Sequence, residues 1–153
     1  MLRSIVIVTL LSTTAFAAAQ QRISNYADLF KSLKAGKQVR VVAEYKKMKL
    51  FSDGKEEESV DATGGLTVGA WEQFAKGVVR NDKAYIGFSQ TNLIAHPRYG
   101  HVHNYVRFRI FEDNSIEITA RYLEASTYKV VMDETFKGKL SNGKDVEGVS
   151  FYR

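Results

Sequence analysis

All three histidines of this 153-residue chain fall in one short stretch, HPRYGHVHNYVRFRI, residues 96–110. His101 and His103 are two apart, so on an extended strand both point to the same side with Cβ atoms about 7 Å apart. That spacing suits two ligands of one zinc or copper ion. A catalytic zinc needs a third donor. With no cysteine in the chain, the candidates are His96, set back before Pro97 and a Tyr-Gly turn, and an oxygen of Glu117 or Asp133. The competing reading is that the imidazoles decorate the wet side of a half-exposed strand. Spacing alone supports the metal, and no cofactor is expected.

Other chemistry is easier to set aside. Ser89, Ser126 and Ser150 lack a Gly-x-Ser-x-Gly setting, and no glycine loop of the phosphate-cradling kind occurs. Asp133 and Glu134 are neighbours, hence on opposite faces of a strand, which is wrong for a shared acid-base pair. The absence of cysteine excludes thiol catalysis, disulfide exchange and Cys-based zinc sites. No residue is assigned a catalytic role, and the expectation is a non-enzymatic protein. A metal-dependent or hydrolytic enzyme using His101 and His103 is the alternative from another class.

The elements that must position the histidine stretch are legible from periodicity. In residues 101–111 the even positions Val102, Val106, Phe108 and Ile110 are apolar, while the odd ones are His101, His103, Tyr105, Arg107 and Arg109. The next strand, SIEITARYL, carries Ile116, Ile118, Ala120 and Tyr122 on its apolar side. A three-residue loop Glu112-Asp113-Asn114, with Asn114 left-handed, keeps both apolar sets on one face. It sets Phe108 opposite Ile118, Arg109 opposite Glu117, Arg107 opposite Thr119 and Tyr105 opposite Arg121. The wet face then presents His101, His103, Tyr105, Arg107, Arg109 and Arg121. These six are the candidate binding residues, suited to a sulfate, carboxylate or phosphate because arginine offers a planar donor fork. A solvated face softened by the Arg109/Glu117 pair is the plainer reading.

Elsewhere, Tyr26, Leu29, Phe30 and Leu33 form the stripe of a helix over 26–35, capped by Ser24 or Asn25 and ended by Gly36. In QVRVVAEYKKMKLF the apolar parity switches between Tyr45 and Met48, which predicts a bulge or bend near Lys46-Lys47. SDGKEEESVDATGG reads as a long polar loop. Trp71, Phe74, Ala75 and Val78 suggest a second short helix, weakened by Gly69 in its first turn. Further strands follow, and Asn142-Gly143 predicts a two-residue hairpin with Phe136 opposite Val149. The expected fold is α+β: a curved antiparallel sheet or partial barrel of five to seven strands, with an N-terminal helix and the second short one. Such a sheet could also enclose a small apolar ligand among Tyr85, Phe88, Tyr122, Tyr128 and Phe136, residues that more often are simply core.

The N-terminus sets the compartment. Arg3, an apolar run from Ile5 to Leu11 and small residues through Ala19 read as a signal peptide over 1–19, cleaved after Ala17 or Ala19, leaving one domain over 20–153. The run is too short to span a bilayer. The expected product is secreted and extracellular, with no membrane span. Loss of Arg3 leaves 21 Lys and Arg against 17 Asp and Glu, a net charge of +4. A basic surface favours an anionic extracellular partner; nucleic acid is not expected outside the cell. A structural role in a matrix, venom or other secretion fits the composition as well, and the oligomeric state is not legible.

The order YADLFKSLKAGKQVRVVAEY, Gly64-Gly65, AYIGFSQTNLIAH and YVRFRIFEDNSIEI resembles the VirK-like family of small exported proteins, from about Tyr26 to Tyr122. The resemblance implies export and a single domain, and no assigned activity or site residue. Bacterial-type members tend to carry a cysteine after the first strand where this chain has Met48, so any disulfide of theirs is absent here.

Overall fold

The computed structural model describes residues 20–153 other than Val146. The expected signal peptide over 1–19 therefore lies outside the described residues. The chain begins with β1 (Arg22–Ile23) and α1 (Tyr26–Lys34), followed by β2 (Arg40–Glu44), β3 (Lys49–Ser52), β4 (Lys55–Glu57), β5 (Thr63–Thr67) and β6 (Glu72–Phe74). Then come β7 (Tyr85–His96), β8 (Gly100–Phe111), β9 (Ser115–Glu124), β10 (Val130–Lys139) and β11 (Val149–Tyr152).

The helix forms where the apolar stripe predicts it. The Asn25 side chain accepts from the Asp28 N–H at 2.9 Å and closes the first turn, Leu29 and Leu33 are buried, and Gly36 leaves the helix at φ 69°. Two contacts dock it: the Tyr26 N–H donates to Asn114 Oδ1 at 2.7 Å, and Arg153 Nη1 donates to Ser32 Oγ at 2.6 Å.

Among the described residues, eleven strands fall into two antiparallel sheets, a four-stranded one in the order β1-β11-β2-β5 and a seven-stranded one in the order β4-β3-β10-β9-β8-β7-β6. The fold is thus mostly β with one short helix, not the expected α+β arrangement of a single curved sheet and two helices, and neither sheet closes into a barrel. Buried apolar residues of both sheets and the helix form one cluster, with the Phe88 and Phe108 rings stacked at 4.9 Å and Phe88 edge-on to Phe151 at 6.4 Å.

The second helix does not form. Residues 67–78 carry the chain from one sheet to the other, with Val68 buried beside Val39 and Glu72–Phe74 paired to β7. Only Trp71 and Phe74 of the supposed stripe pack, against Phe30 and Tyr85, whereas Val78 is 68% exposed. The apolar spacing arises from a crossover, not from one buried face.

Three other features are set by the division into two sheets. The parity switch after Tyr45 is a 3-10 turn at Tyr45–Lys47, where the chain leaves the four-stranded sheet for the seven-stranded one. The polar stretch 52–65 is not a long loop. Asp53 and Gly54, at φ 48° and 77°, make a tight turn that pairs β3 with β4, and β5 follows. The Asn142-Gly143 hairpin is absent. Gly143 does turn at φ 87°, but Asn142 Oδ1 accepts from the N–H groups of Lys144 and Asp145, and the chain crosses to the other sheet. Phe136 lies opposite Ile118 and Leu50, while Val149 lies opposite Ala43.

Candidate functional site

β8 and β9 pair in the register that the loop parity demands. Phe108 faces Ile118, Arg109 faces Glu117, Arg107 faces Thr119 and Tyr105 faces Arg121, with Asn114 left-handed at φ 65°. Residues opposite one another share a face, so the even positions enter the core and the odd ones make the outer face of the seven-stranded sheet. On β7 the outer neighbours are Gly87, Ser89, Thr91 and Leu93; on β10 they are Asp133, Thr135 and Lys137.

All six candidate binding residues occupy this face, but they are not equivalent. Arg109 Nη1 pairs with Glu117 at 3.3 Å, and its guanidinium also lies 5.7 Å from the Tyr85 ring centre. Arg121 Nη2 pairs with Asp133 at 3.0 Å, a bond that raises its pKa against partial desolvation. Arg107 has no carboxylate partner among the described residues. Its Nη2 donates to Thr119 Oγ1 at 3.3 Å, and its Nε is buried with nothing to bond. Arg107 sits in a rung of hydroxyls, Ser89 on β7, Thr119 on β9 and Thr135 on β10. His103 stacks on Tyr128 at 5.4 Å with the rings parallel to 1°, and His101 is exposed at the far end of β8.

The three histidines do not converge. His96 lies opposite Gly100, one residue out of phase with the Ala95–His101 rung, so it points to the other face from His101 and His103. Its Nδ1 accepts from the N–H groups of Arg98 and Tyr99, and its ring packs between Tyr99 and Tyr122. Among the described residues no group of three His, Cys, Asp or Glu is placed to hold a metal ion. The two oxygen donors considered for a third ligand, Glu117 and Asp133, are the carboxylates that neutralise Arg109 and Arg121. The three-donor set considered for a metal on His101 and His103 is therefore not assembled among the described residues. The enclosed apolar site does not form either: Phe88 and Phe136 are core, Tyr85 is on the outer face beside Phe74, and Tyr128 is 66% exposed.

Beside Arg107 lies a groove of about 490 Å³, lined among others by Trp71, Phe74, Tyr85, Gly87, Ser89 and Arg107. Its floor exists because the outer side of β7 carries small residues. A Cβ on Gly87 would meet the Tyr85 ring at 3.4 Å. Sequence reasoning missed this groove because Trp71 and Phe74 were absorbed into a helix. The available signal was on β7, where Gly87, Ser89 and Thr91 alternate with bulky Ile86 and Phe88.

The described residues hold no helix long and apolar enough to cross a membrane. No curated protein matches the chain. A solved structure of a VirK family protein from Legionella pneumophila superimposes with a TM-score of 0.64 over 86% of this chain and 98% of that one, at 17% identity, a likeness of fold. The profile of the family described as VirK protein matches residues 22–128, most of the described strands, and the chain belongs to that family.

Proposed function

We propose that the chain is an exported, extracellular, non-enzymatic protein that binds an anionic partner through the outer face of its seven-stranded sheet. The observation that carries this reading is Arg107, a half-buried guanidinium without a carboxylate, set among Ser, Thr and Tyr side chains with one donor unsatisfied. A buried donor left without an acceptor costs free energy, and an anionic oxygen supplies the acceptor and the countercharge together. The Arg121 Nε is likewise buried without an acceptor, but Arg109 and Arg121 already have their countercharges and add steering more than grip.

Heparin is a suitable polyanion probe. Purified protein is expected to be retained on a heparin column at low salt and to elute early as salt screens the contact. Arg107→Ala is expected to shift elution to lower salt more than Arg109→Ala does. No retention at low salt, or an unchanged Arg107→Ala profile, sinks the proposal.

A further inference from the structure

We infer that the partner is a polypeptide: an extended acidic segment that adds to the open margin of β7 as a further strand and sets a carboxylate on Arg107. This rests on the anion-binding reading above and names the class of partner. β6 covers β7 only at Tyr85–Gly87. From Phe88 to His96 β7 pairs with β8 alone, in unbroken register; a groove of about 400 Å³ separates Phe88–Gln90 from Gly65, Leu66, Thr67 and Gly69, leaving space for a strand along that side. Every second residue of an antiparallel strand turns its N–H and C=O away from the neighbour, so about four residues of this stretch present both groups to the open side.

Exposed margins are normally guarded by charge, proline or a bulge. FSQTNLIA, residues 88–95, has no charged residue and no proline, and the β7–β8 ladder has no bulge. Leu93, 60% exposed on the outer side opposite His103, offers an apolar anchor to an incoming strand.

The position of Arg107 selects the sign of the partner. Strands lie about 4.8 Å apart, so an added strand runs about 10 Å from β8, with β7 between them. Only Ser89 separates the margin from Arg107 on that rung. A glutamate side chain from the added strand and the long Arg107 side chain, swung from Thr119 towards Ser89, together bridge that distance, and the groove beside Ser89 leaves them room. A second copy of this chain pairing through its own β7 brings no carboxylate, since Tyr85–Ala95 contains none, and would leave Arg107 as it is. A polyanionic glycan would satisfy Arg107 but not the row of backbone groups.

Trp71 is the chain's single tryptophan and lines the same groove, so its fluorescence reports on the site. The probe is a short capped peptide of alternating valine and threonine carrying one glutamate. It is compared with its glutamine analogue and with versions N-methylated at alternate residues in either phase. The glutamate peptide is expected to change Trp71 emission saturably, with the glutamine analogue about tenfold weaker. Arg107→Ala is expected to bring the glutamate peptide down to the level of the glutamine one. The N-methylated version that blocks the β7-facing groups is expected not to bind. Undiminished binding by both N-methylated versions, or equal binding of the glutamate and glutamine peptides to unaltered protein, overturns the inference. So does a dimer in sedimentation that Leu93→Lys disperses, because the margin is then taken by a second copy. Salt-sensitive heparin retention without peptide binding overturns strand addition alone; loss of both overturns the anion-binding reading too.

Discussion

The two margins of the seven-stranded sheet meet the same problem in opposite ways. β4, at one margin, is three residues long, Lys55-Glu56-Glu57, all exposed, and Glu56 is paired to Lys49 at 3.0 Å. β7, beyond the short cover of β6, has no described strand on its open side and carries no Asp, Glu, Lys or Arg from Phe88 to Ala95. Charge and brevity make the first margin a poor template for another strand, whereas the second has neither protection. The difference shows that an unpaired edge alone does not mark a docking site; an edge long enough to pair and without a guard does.

The largest contrast is in stability. Phe88 is buried at the root of the open margin, stacked on Phe108, so Phe88→Ala is expected to cost about 3–5 kcal/mol, whereas exposed Glu57→Ala on β4 should stay within about 0.5 kcal/mol. Urea unfolding of the two variants measures both. A small loss for Phe88→Ala would mean that the β7 margin is not anchored in the core. Next in size is the guard itself. Lys55→Val with Glu57→Val removes charge from β4 and is expected to produce concentration-dependent association by light scattering; a monomeric variant would show that charge is not what protects that margin.

Much of the outer face was legible because β8 and β9 constrain each other: strict alternation in both strands and a short loop leave one register that buries both apolar sets. That reasoning reached Arg107, Arg109 and Arg121 and the pairing of Arg109 with Glu117. It did not reach the Arg121–Asp133 pair or the hydroxyl rung, which depend on β7 and β10 lying beside β8 and β9 over their full length. The fold class failed for a related reason. Asn142-Gly143 is a genuine turn, yet the chain beyond it joins the other sheet, because Val149 and Phe151 complete the β2 side of the core. Local turn chemistry cannot tell a hairpin from a crossover. Asp53-Gly54 was the converse case, a hairpin hidden because both faces of β4 are polar.

Acid is expected to act with opposite sign on two carboxyls of the seven-stranded sheet, Asp113 in the β8–β9 turn and Glu134 on β10. At the closed end of β7, Asp113 bonds Lys83 and Ser115, and these contacts hold its carboxyl at about 2, below its ordinary 3.8. A depressed carboxyl stabilises the fold above its unfolded pKa, and the contribution is lost as pH falls from about 4 through about 2. The Lys83–Asp113 pair is half-exposed, so the effect is screened. Asp113→Asn is expected to lower the melting temperature by about 2–3 °C at pH 7, with most of that difference gone as pH falls through about 2. Equal losses at both pH values would assign the effect to turn geometry instead of charge.

On β10, one strand in from β3 and β4, Glu134 behaves the other way. Partial burial, with the Glu57 charge adding to it, raises its pKa, so the ionised form is disfavoured in the folded state. Stability tied to this group is fully present below the unfolded pKa and is lost as pH rises through the folded one. At neutral pH Glu134 is therefore a small liability. Glu134→Gln is expected to raise the melting temperature by about 1 °C at pH 7, with the gain shrinking as pH falls below the carboxyl's ordinary 4.5. Repeating the measurement in Glu57→Gln separates the causes. If the gain persists, desolvation of Glu134 is responsible; if it vanishes, the guarding charge on β4 acts across β3 on β10, and protection of that margin carries a cost that the β7 margin does not bear.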